Sequence, residues 1–141
     1  MATKSDFTDQ QWEDVRYALE DTMAYVSLSN GPKFFESFKE AGAAAHFMAD
    51  QAKSSTSTLV RDLATSGYQK RDKTLTSDPT NLEAPALARI SAAAKIVGEV
   101  APDELEAFKA FIVGLADATA EVNGVDKRES AALDKVKAAL G

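Results

Sequence analysis

The sequence contains no cysteine, which removes disulfides, thiolate metal ligands and cysteine nucleophiles together. That fits a reducing compartment, and the expected location is cytoplasmic. It has a single histidine, His46, so multi-histidine zinc sites are excluded and no second imidazole is at hand for an acid/base pair. The seven glycines form neither Gly-x-Gly-x-x-Gly nor a Walker sequence, which argues against a nucleotide enzyme. No Gly-x-Ser-x-Gly elbow is present to expose a nucleophilic serine. No stretch approaches the roughly 20 apolar residues of a membrane span, and residues 1–9 lack the apolar run of a secretory signal. The chain is therefore expected to stay in solution without direct membrane insertion. Strand-type alternation is missing as well, so no sheet is expected.

What is present is a globular composition. At 141 residues, with 45% hydrophobic and 27% charged residues, the chain can bury the core of one domain without metal or disulfide help. Its net charge of -6 repels phosphate backbones and anionic lipid, so no nucleic-acid partner is expected. The local exception is Lys70, Arg71 and Lys73, which Asp72 interrupts. That segment reads as a solvated linker, with a separate interaction site as the alternative.

Hydrophobic periodicity predicts an all-α bundle of about six helices. Over residues 8–29, Trp12, Val15, Leu19, Met23 and Val26 recur at steps of three and four, and Thr8 and Gln11 have capping-box spacing. Asn30-Gly31-Pro32 then makes a turn into a second helix over residues 32–53. Its stripe is Phe35, Phe38, Ala41 or Gly42, Ala45, Met48 and Ala52. Hydroxyls at 54–57 precede a short helix to residue 67 on Leu59, Val60 and Leu63. Residues 68–80 read as linker, and a fourth helix follows over 81–99 on Leu82, Leu87, Ile90, Ala94 and Val97, with Pro85 early enough to be tolerated. The chain closes with a hairpin over 102–140. Its first helix uses Leu105, Phe108, Ile112, Leu115 and Thr119, and its second uses Leu133, Val136 and Leu140, across an Asn123-Gly124 turn.

The two Asn-Gly turns stand 93 positions apart (124 − 31), and the same displacement carries Trp12 onto Leu105, Val15 onto Phe108 and Leu19 onto Ile112. Glu36-Ser37 likewise falls on Glu129-Ser130. This suggests two related hairpins, 8–53 and 102–140, joined by a shorter helix pair and a linker. Any two helical hairpins with Asn-Gly turns would align in part, which is the plainer reading.

The run Leu115-Ala116-Asp117-Ala118-Thr119-Ala120-Glu121-Val122-Asn123-Gly124-Val125-Asp126-Lys127-Arg128-Glu129 resembles the recurring element of TerB-like, tellurite-resistance-associated helical domains. In that element a helix ends in an acidic residue plus glycine, and a second helix opens with an acidic residue shortly after. Here the usual Asp-Gly is Asn123-Gly124, and in the first half Asn30-Gly31. The resemblance implies an all-helical fold with internal pseudo-symmetry, a link to metal-ion stress and membrane-associated complexes, and cation binding by acidic residues.

Read from the residues alone, Asp117 and Glu121 lie one turn apart, with Asp126 and Glu129 opening the next helix. Oxygen ligands so placed could hold a hard divalent cation. Asp126 and Glu129 also have the spacing of a capping box and would meet the positive end of a helix dipole without any metal. His46 and Asp50 are expected to form a surface helical pair, with proton transfer as the alternative. Phe34, Phe35, Phe38 and Phe47 crowd one helix, and Phe34 and Phe47 need not share the face of the other two. If exposed, they mark a partner surface. The leading expectation is a noncatalytic protein-interaction or scaffolding module that binds a protein partner or a second copy and uses no cofactor. The alternative is a divalent-cation-binding, metal-stress protein.

Overall fold

The computed structural model describes residues 4–28, 38–66, 79–121 and 127–141, and within them the chain is all-α. Six α-helices are present among the described residues: α1 (Asp9–Leu28), α2 (Phe38–Ser54), α3 (Thr58–Ser66), α4 (Pro79–Val100), α5 (Leu105–Glu121) and α6 (Lys127–Leu140). Short 3-10 turns precede α1 at Lys4–Asp6 and α5 at Pro102–Glu104. No described helix is long and apolar enough to cross a membrane.

The start of α1 follows from its first residues. Gln11 N–H donates to Thr8 Oγ1 at 3.1 Å, and Thr8 N–H donates to Gln11 Oε1 at 2.9 Å, closing the expected capping box. Phe7, just before the cap, packs on Trp12 with ring centroids 5.7 Å apart, which staples the entering chain to the helix. Downstream, α1 is buried over a wide arc because α4, α5 and α6 all rest on it, with α4 covering it most extensively. Trp12, Val15, Leu19 and Val26 are buried as their spacing predicts, and so are Ala18 and Tyr25.

A second centre forms around α5, which meets α1, α6, α2 and α3. Phe108, Phe111, Ile112 and Leu115 of α5 are buried, along with Leu133, Val136 and Leu140 of α6 and Leu59, Val60 and Leu63 of α3. The described part of α2 makes its main contacts with α3 and α5 rather than with α1. Its buried face centres on Met48, flanked by Phe47 and Ala52. Ala45, expected on that face, is exposed. The physical reason is helix geometry: Phe47 faces α5, stacked on Phe111 at 5.8 Å, and a position two residues away lies on roughly the opposite side of the helix.

Pro79 and Thr80 belong to α4 rather than to the linker assigned to them. Proline at the first helical position forfeits an N–H that has no acceptor in the helix. Ile90, Ala94 and Val97 line the buried side of α4 as expected, joined by Ala86 and Ala93. Ala101, buried, links α4 to the Pro102–Glu104 turn, whose Glu104 N–H donates to the Ala101 carbonyl at 2.9 Å. The turns Asn30-Gly31-Pro32 and Asn123-Gly124, together with Lys70, Arg71 and Lys73, lie outside the described residues.

Candidate functional site

Three polar assemblies tie the helices together, and one helix face carries little polarity at all. The deepest assembly is on α1. Asp21 sits four residues before Tyr25 and three after Ala18, in register with the apolar stripe, and its side chain is fully buried. Its Oδ2 lies 3.6 Å from Nη1 of Arg89 on α4, and neither of its oxygens accepts a hydrogen bond. Burial pushes the Asp21 carboxyl up to about 7; Arg89 pulls the other way and Glu20 adds to the rise. Nearby, buried Arg16 pairs with Glu13 at 2.8 Å and with Glu20 at 3.8 Å, and lies over the Tyr17 ring at 4.9 Å. The carboxyl thus lies inside the α1–α4 contact while the guanidinium reaches toward its rim.

The second assembly joins three helices. Tyr25 of α1 donates its hydroxyl to Glu83 Oε1 of α4 at 2.7 Å, and Lys135 Nζ of α6 donates to the same oxygen at 2.6 Å. Lys135 and then Tyr25 hold the Glu83 carboxyl below its usual range, while burial and the adjacent carboxylate raise the Tyr25 phenol. In the third, Glu104 is buried beside the start of α3, where Ser57 and Thr58 hydroxyls donate to its Oε1 at 3.3 and 3.2 Å. Ser57 Oγ in turn accepts from Val60 N–H at 3.2 Å, the N-cap contact of α3.

The solvent side of α4 is different. Ala84, Pro85, Ala88, Ser91 and Ala92 are all exposed, and the outward side of the helix carries no full charge between Ala84 and Ala92. In the sequence this appears as a stretch in which Arg89 is the one charge between Glu83 and Lys95. An apolar stripe marks only the buried side of a helix, and surface alanines read as helix propensity, so the sequence pattern does not single out this face. Asp21 gives no such signal either, because an apolar stripe does not register a carboxyl group.

Of the anticipated site residues, Asp117 lies half-buried on α5, Glu121 ends α5 and Glu129 lies in the first turn of α6. Asp126 and Phe34 lie outside the described residues, as do the side chains of Glu121 and Glu129, so the geometry of the acidic set is not among the features described. Among the described residues no three His, Asp or Glu side chains gather as a metal-binding group. Phe47 is half-buried against the core, stacked on Phe111. His46 Nε2 stands 3.4 Å from Asp50 Oδ2, with side chains 80% and 61% exposed, a surface pair whose strength water screens. Comparison with models of known families, with curated proteins and with solved structures gives no match for this chain.

Proposed function

We propose that this chain is a noncatalytic interaction module whose contact surface is the outward side of α4. The observation that carries this reading is the exposed run Ala84, Pro85, Ala88, Ser91 and Ala92. A helix facing only water gains solubility from charge on its outer side. Small side chains there serve better for close approach of another backbone, and they lose little side-chain entropy on contact. The Tyr25–Glu83–Lys135 contacts fix α4 to α1 and α6 from behind, so the face is presented on a braced support. The occupant is a protein partner or a second copy of the chain.

The fold is in keeping with a TerB-like domain in being all-helical.

The test is Ala88→Arg. Position 88 is exposed and arginine suits a helix, so the melting temperature should stay within the range of neutral surface changes, roughly ±0.5 kcal/mol in stability. Self-association by sedimentation across a concentration series, or capture of a defined partner, should be lost in the variant. A chain that is monomeric at every concentration, and whose partner capture Ala88→Arg leaves intact, would overturn this assignment of the surface.

A further inference from the structure

The α1–α4 interface holds an ionisable group that the interaction surface does not use. Asp21 is fully buried, its two oxygens accept no hydrogen bond, and the facing guanidinium of Arg89 stays at 3.6 Å with its own side chain 30% exposed. The pair thus runs from the core of the most extensive helix contact to its rim. The charges acting on Asp21 are Arg89 from α4 and Glu20 from its own helix. From the other helices packed on α1, the described charged side chains are Glu106, Lys109 and Asp117 of α5 and Asp134, Lys135 and Lys137 of α6, and none of these acts on the carboxyl. Lys135 is engaged with Glu83, and Lys109 with Glu106.

We propose that the Asp21–Arg89 pair makes the α1–α4 interface a proton-responsive joint, tight while the Asp21 carboxyl holds its proton and loosened when the carboxyl ionises. A neutral carboxyl is tolerable in an apolar contact, whereas a carboxylate without donors is costly there. Relief requires either that Arg89 move inward or that the helices part enough to admit water, and both displace α4 against α1. The group's proton is held to about pH 7 in the native chain and to about 3.8 in the unfolded one. Between those values the native state retains a proton that the unfolded state has released, so stability falls as pH rises through this window and levels above it.

The experiment is a carbon-13 carboxyl titration of the full chain by NMR, paired with hydrogen exchange of the α1 and α4 amides corrected for intrinsic rates, from pH 4 to 9. The expected result is a midpoint near 7 for Asp21, with α1 and α4 protection declining from about pH 4 up to that midpoint and level above it. Asp21→Asn should make that protection independent of pH and remove the fall in denaturation midpoint between about pH 4 and 7. Should Asp21→Asn fail to fold, the wild-type titration and exchange decide the matter alone. Arg89→Met should move the Asp21 midpoint further up. The proposal is overturned by an Asp21 midpoint at or below the usual aspartate range, by protection that does not change across the titration, or by a midpoint indifferent to Arg89→Met.

Discussion

At Gly114 a missing side chain lets an aromatic ring lie against α5. A Cβ built there would stand 2.6 Å from Cζ of Phe47, well inside contact distance, and Phe47 is the ring that stacks on Phe111. Gly114→Ala therefore brings two opposed effects. Replacing glycine inside a helix gains about 1 kcal/mol of propensity, and forcing the ring from its seat costs about 1–3 kcal/mol. The net effect expected in urea denaturation is destabilisation. In a Phe47→Ala background the sign should reverse, because the obstruction is gone and the propensity gain remains. A cycle in which Gly114→Ala has the same effect in both backgrounds would show that Phe47 does not occupy the glycine's place. This contact also explains why Phe47 was readable as aromatic but not as to its use. Its spacing sets it apart from Phe35 and Phe38, yet the partner that receives it is a glycine and a phenylalanine 67 and 64 residues later, a relation that no local pattern encodes.

The helices themselves were largely legible, since amphipathic stripes and caps are local. Thr8 and Gln11 close the box their spacing implies, and Leu59, Val60 and Leu63 are buried as read. What local patterns could not supply is which helix covers which. The shortest helix shows this: α3 spans nine residues, too few to persist alone, and its place depends on Glu104. That residue belongs to a turn 46 and 47 positions beyond the hydroxyls it binds, and its carboxylate lies at the positive end of α3. Glu104→Ala leaves the buried Ser57 hydroxyl without this acceptor and is expected to cost about 1–3 kcal/mol. Hydrogen exchange should locate the loss: amides of α3 should lose protection first, ahead of those in α1 and α4. Uniform loss across all helices would mean that α3 is not separately anchored by this contact.

For the whole molecule the net charge of -6 means that any added salt relieves self-repulsion and can raise the melting temperature without a binding site. A divalent cation must therefore be compared with sodium at equal ionic strength before a rise is assigned to coordination. Oxygen ligation by Asp117, Glu121, Asp126 and Glu129, the alternative to the interaction reading, predicts an excess rise with calcium or magnesium that grows with the logarithm of concentration above the dissociation constant. It further predicts that Asp117→Asn combined with Glu121→Gln removes the excess while leaving the sodium response in place. Screening alone predicts that the divalent and sodium melts coincide and that the double variant, carrying two fewer negative charges, simply responds less to both. The two mechanisms thus differ in the sign of one comparison, the divalent melt minus the sodium melt at matched ionic strength. A difference of zero at millimolar ion removes cation binding and leaves Asp126 and Glu129 with the capping role their spacing already explains.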